Sequence, residues 1–156
     1  MCSVRDKRRN LGAELPEIAM VYASEQERNS VDDGSVRTAE QARDVTRGFL
    51  SVAAPDGGSG AEAVLLVVSE LFANAVRHAG GATGFRLDAG PGKVTVAVQD
   101  ASPLPLRPVP LDARKPGGFG WHVVRELSAD VRVRVHSAGK TVTAIVPCPT
   151  AVMAPG

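Results

Sequence analysis

Four stretches between Phe85 and Val146 place an apolar residue at every second position, and this alternation restricts the chain more than any other feature. Phe85, Leu87 and Ala89 alternate with Arg86 and Asp88. Val94, Val96 and Val98 alternate with Thr95 and Gln99. The stretches Val131 to His136 and Thr141 to Val146 repeat the pattern. A period of two puts like side chains on one face of a strand. Gly90-Pro91-Gly92 links the first pair and Ala138-Gly139 the second, and links this short return the chain antiparallel. Such a sheet needs a cover on its apolar face. Ser35 to Leu50 carries Val36, Ala39, Ala42, Val45 and Phe49 at three- and four-residue spacing, which predicts an amphipathic helix. Ser59 and Glu62 have capping-box spacing ahead of a second helix, Ala61 to Ala79, that is apolar all round from Ala63 to Val68 and ends at Gly80-Gly81. Phe119 to Leu127 reads as a third. The expected class is α+β: a two-layer sandwich with a mixed, mostly antiparallel sheet covered on one face by three helices.

The remaining segments bound the domain. Residues 1–16 read as a mobile tail, 17–148 as the domain, and 149–156 as a second tail. Glu17 to Ala23 reads as a first short strand and Asn29 to Ser35 as a turn. Ala101 to Gly117 is irregular and holds five of the 11 prolines, and a loop this long in a compact domain is commonly functional. The charge balance, 18 basic against 17 acidic residues, argues against a nucleic-acid footprint. Two cysteines, Cys2 and Cys148, make neither a disulfide framework nor a zinc quartet. The charged N-terminus lacks a secretory h-region, and no apolar run reaches the ~18 residues of a membrane span, so a cytoplasmic protein without a membrane partner is expected.

Chemistry concentrates in four places. In SELFANAVRHA, Ser69 to Ala79, Glu70 and Asn74 stand one turn apart on one helix face, with Arg77 and His78 continuing the stripe. A carboxylate and a carboxamide so placed can hold a hydrated Mg²⁺; equally, Glu70 can be the solvent face of the helix. Asp100 follows a strand directly. It suits a turn, or the acceptance of a hydrogen bond from an exocyclic amine such as that of adenine. Gly117-Gly118-Phe119-Gly120-Trp121 opens the third helix, where backbone amides and the helix dipole favour phosphate, although a plain turn has the same composition. It is neither a Walker loop nor a Rossmann fingerprint. Gly139-Lys140-Thr141 suits a tight turn opening a strand.

In this order, the four elements resemble the ATP-binding (Bergerat) domain shared by gyrase, Hsp90, sensor histidine kinases and MutL. They are most similar to its small stand-alone branch, the anti-sigma-factor serine/threonine kinases and related actinobacterial regulators. The resemblance covers about Val36 to Pro147, and SELFANAVRHA is its strongest motif. It implies Glu70 as general base, Asn74 as the Mg²⁺ ligand, and Arg77 or His78 near the phosphates. It also implies Asp100 as the adenine acceptor, Thr141 supporting that aspartate through water, and Gly118 and Gly120 beside the triphosphate. Ala101 to Gly117 would be the lid, carrying Ser102 and Lys115, with Trp121 at its end. Ala101-Ser102-Pro103 departs from the wider Asp-x-Gly-x-Gly pattern, and Trp121 replaces a common leucine. The implied function is an ATP- and Mg²⁺-dependent protein kinase that phosphorylates a small antagonist protein and binds a sigma factor. Homodimerisation is carried over from related kinases. The alternative is a non-catalytic, ATP-gated binding module.

Overall fold

The computed structural model describes residues 29–102 and 118–154. The elements run β1 (Ser30–Asp32), α1 (Ala39–Ala53), α2 (Gly58–Ala79), β2 (Ala82–Gly90), β3 (Lys93–Asp100), α3 (Gly118–Leu127), β4 (Asp130–His136) and β5 (Gly139–Pro147). The strands form one sheet in the order β1-β2-β3-β5-β4. All four described pairings are antiparallel, so the expected mixed character is absent among the described residues. The expected α+β architecture, helices on one face of the sheet, is what forms.

Alternation decides which face is covered. Val94, Val96 and Val98 of β3 and Val142, Ala144 and Val146 of β5 are buried, while the residues between them are only partly so. The α2 helix supplies the matching surface. Val64, Val67, Val68, Leu71, Phe72 and Ala75 recur at three- and four-residue spacing and are all buried. Phe72 meets Phe85 of β2 edge-on, with ring centroids 5.2 Å apart. The α2 helix packs on β2, β3 and β5 and lies between α1 and α3. By length and composition α2 is apolar enough to cross a membrane; in this fold its buried residues face the sheet and the flanking helices, while Leu66 and Val76 stay exposed.

Several boundaries differ from the sequence expectation. The α1 helix starts at Ala39 rather than Ser35, because Thr38 and Gln41 close a capping box: the Gln41 amide donates to Thr38 Oγ1 at 3.1 Å, and the Thr38 amide to Gln41 Oε1 at 3.2 Å. Ser35 instead donates its amide to Asp33 Oδ1 at 2.8 Å. The α2 helix begins at Gly58 with Gly57 as a cap that makes no side-chain hydrogen bond, so the expected Ser59–Glu62 box does not form. Tertiary approach sets this start: a Cβ at Gly60 would lie 2.8 Å from Cys148 Cα. At the far end, Gly80 takes φ 76°, and the amides of Gly80 and Gly81 donate to Val76 and Ala75 carbonyls at 3.0 and 3.1 Å. Part of the segment read as a turn, Ser30–Asp32, is the edge strand β1, held to β2 by Ser30 Oγ donating to Asp88 Oδ1 at 2.6 Å. The strand expected at Glu17 to Ala23, the 1–16 tail, and residues 103–117 of the expected lid, Lys115 included, lie outside the described residues.

Candidate functional site

The buried side of α2 fixes the orientation of its polar stripe. Glu70 is half-buried and Asn74 buried, while Arg77 and His78 emerge at the exposed last turn. Asn74 Oδ1 accepts a 2.8 Å hydrogen bond from the Arg77 guanidinium. Its Nδ2 is buried with no partner among the described residues. An unmet buried donor costs free energy and leaves this amide free to meet a further acceptor.

Glu70 meets the start of α3. A Cβ on Gly120 would collide with Glu70 Oε2, so the Glu70 carboxylate reaches the backbone at the start of α3. The carboxylate thus sits at the first turn of α3. Gly118 is the first residue of the same helix. The structure therefore brings Glu70 and Gly120 together.

Asp100 closes β3 and is paired in register with Lys140 of β5. Both are buried, at 4% and 2% exposure. Lys140 Nζ donates to Asp100 Oδ1 at 3.1 Å and lies 2.9 Å from Oδ2. The Ser102 amide donates to Oδ1 at 2.9 Å, bending the chain away from the sheet. A buried ion pair of this kind persists only where the partners neutralise and hydrogen-bond each other. The turn that delivers Lys140 depends on Gly139, which has φ 139° and whose Cβ would overlap the Asp100 carbonyl oxygen.

Lys140 is the residue that sequence reasoning missed, and it corrects the expectation for Thr141. Strand alternation sends Thr141 to the opposite face of the sheet from Asp100. There it is within 3.1 Å of His136 Nε2 and shares a cavity of about 460 Å³ with Gln99, Thr143 and Arg86. The signal was in the sequence. Val142, Ala144 and Val146 face the helices, so the residue two before Val142 must do so as well.

His78 stands at the exposed end of the stripe, and its imidazole is held below the ordinary histidine range. Partial burial is the main cause; the positive charges of Arg77 and Lys140 add to it, and Asp100 opposes it. That combination puts His78 in the electrostatic neighbourhood of the Asp100–Lys140 pair. Trp121 is buried, and its indole Nε1 has no partner among the described residues. It lines a cavity of about 380 Å³ between α3 and β4 with Arg125, Ser128 and Asp130.

The donors suit a nucleotide in a specific way. The stripe and the α3 start offer a carboxylate, a carboxamide, a guanidinium and helix-terminal amides, which together match a polyphosphate and a nucleophile. Asp100 offers an acceptor at the end of a strand. No group of three or more His, Cys, Asp or Glu residues suited to a metal occurs among the described residues. A magnesium ion held chiefly by phosphates and water needs only one protein oxygen, and Asn74 Oδ1 fits that requirement in exchange for its bond to Arg77.

The family model for the histidine kinase-like ATPase domain matches residues 34–146. No curated protein matches the chain. Among solved structures, the crystal structure of the RsbU and RsbW domains of Rv1364c from Mycobacterium tuberculosis is similar in fold, with a TM-score of 0.52 at 18% identity. The match covers 80% of this chain and 34% of that one, so this chain spans well under half of its length.

Proposed function

Because the chain belongs to the histidine kinase-like ATPase family, for which ATP is the implied ligand, we propose that it is a regulatory serine/threonine kinase of the anti-sigma-factor type. It transfers the terminal phosphoryl group of ATP to a serine of a small antagonist protein, and it binds a sigma factor. Asp100 accepts a hydrogen bond from the adenine amine. Asn74 holds the magnesium ion that neutralises the phosphates, and Arg77 adds a cation beside it. The amides at Gly118 and Gly120 face the triphosphate. Glu70 accepts or orients the proton of the attacking hydroxyl. Phosphoryl transfer asks a protein chiefly for such positioning and charge neutralisation. The likeness to a structure containing an RsbW domain supports this reading at the level of fold.

The observation that carries the proposal is the meeting of Glu70 with Gly120, which joins the polar stripe of α2 to the glycine-rich start of α3. The test is transfer of labelled phosphate from Mg-ATP to a serine-bearing antagonist, with Glu70→Ala in parallel. Loss of a general base slows transfer by roughly 100-fold or more, and Mg-ATP binding should persist in the variant. Equal transfer rates would remove Glu70 from the mechanism. The second reading, an ATP-gated binding module without catalysis, draws on Glu70 being packed in the α2–α3 joint. Binding of Mg-ATP by wild type with no transfer to any partner would establish it.

A further inference from the structure

We propose that Lys140 is a specificity-determining residue that reads the base directly, donating a hydrogen bond to the ring nitrogen N1 of a 6-aminopurine while Asp100 accepts from the adjacent amine. The inference rests on the nucleotide reading above and extends it to a residue that the resemblance does not assign.

The argument is a count of hydrogen-bonding capacity. An ionised carboxylate has about four acceptor sites and an ammonium three donors. Asp100 Oδ1 receives the Ser102 amide and Lys140 Nζ, while Oδ2 lies 2.9 Å from Nζ as its ion-pair partner. At least one acceptor site on Oδ2 is left. Lys140 donates to Oδ1, lies beside Oδ2 and meets no other partner among the described residues, which leaves at least one donor. A buried ammonium at 2% exposure does not leave a donor unmet without cost. The pair therefore presents one acceptor and one donor side by side. A 6-aminopurine presents the complement, an N–H on the exocyclic amine next to the lone pair of N1. Register enforces the arrangement. Asp100 and Lys140 are cross-strand partners, and Gly139 lets the backbone of β5 approach the end of β3 closely enough to keep them so.

Lysine also changes the chemistry of the position. A neutral hydroxyl or a water can turn to offer either a donor or an acceptor; an ammonium can only donate. The site consequently requires an acceptor on the base at that point.

The experiment is calorimetric titration of the full chain with Mg-ATP and with Mg-1-deaza-ATP, in which N1 is replaced by C–H. Wild type should bind ATP at least ~10-fold more tightly, the scale of one charge-assisted hydrogen bond. Lys140→Met alone strands a buried carboxylate and can fail to fold. The paired variant Asp100→Asn/Lys140→Met therefore serves as the comparison, since it keeps an amine acceptor and removes the ammonium. It should bind the two nucleotides within about twofold of each other, weaker hydrogen bonds to neutral groups being expected. The shift of the unfolding midpoint by each nucleotide is the second readout and should follow the same ratios. Equal binding of the two nucleotides by wild type, or an unchanged preference in the paired variant, overturns the role of Lys140 while leaving the nucleotide site standing. Absence of binding of either nucleotide to folded wild type overturns the site and the role together.

Discussion

Gly139 shows how much one residue can be required to be nothing else. Its φ of 139° is strained for any L side chain, and a methyl there would overlap the Asp100 carbonyl and come within 2.8 Å of Ala101 Cα, both backbone. Gly139→Ala should lose about 3 kcal/mol or more in urea denaturation. Gly84→Ala is the internal control: its methyl would meet only the flexible Gln99 side chain at 3.4 Å, and the loss should stay under about 1 kcal/mol. The Asp100–Lys140 pair gives a second contrast at this scale. Removing only the lysine charge should cost about 3–5 kcal/mol, whereas Asp100→Asn/Lys140→Met together should come close to wild type in the same assay. Individual site residues were unevenly legible. Helical spacing and strand position singled out Glu70, Asn74 and Asp100 as candidates, and their roles came from the resemblance. Thr141 was misplaced because motif resemblance outweighed parity, and parity alone puts Lys140 on the inner face.

At the level of elements, periodicity identified α1, α2, α3 and both hairpins, because each apolar face has a matching surface in the fold. Boundaries were legible only where local chemistry sets them. The Gly80-Gly81 stop is local, and it holds. The start of α1 is also local, but the capping box that fixes it uses Thr38 and Gln41. Thr38→Ala should therefore lower stability by about 1 kcal/mol, measured by urea denaturation with circular dichroism at 222 nm. The start of α2 is tertiary, set by Gly60 passing over Cys148, and no local signal reports such an approach. The edge strand β1 was hidden for a similar reason. Three residues, Ser30–Asp32, carry no period of their own and become a strand only because β2 offers them its edge.

For the molecule as a whole, helices on one face leave the other face of the sheet with Arg86, Asp88, Gln99, Thr141 and Thr143 around a shallow hollow. The charged end of α2 makes stability depend on pH with a definite sign. The His78 pKa is held below 6.5 in the folded chain, so the unfolded chain binds the proton more readily. The contribution is fully present above pH 6.5 and is lost as pH falls through the depressed value. Urea midpoints from pH 7.5 to 5 should decline for wild type over that window, and His78→Gln should flatten this part of the decline. The joint between Glu70 and Gly120 has a mechanical corollary. With no methyl group between them, α3 cannot roll or slide toward α2 without pushing the carboxylate aside. A shift of α3 toward α2 therefore meets the Glu70 carboxylate before it meets any other atom of that helix.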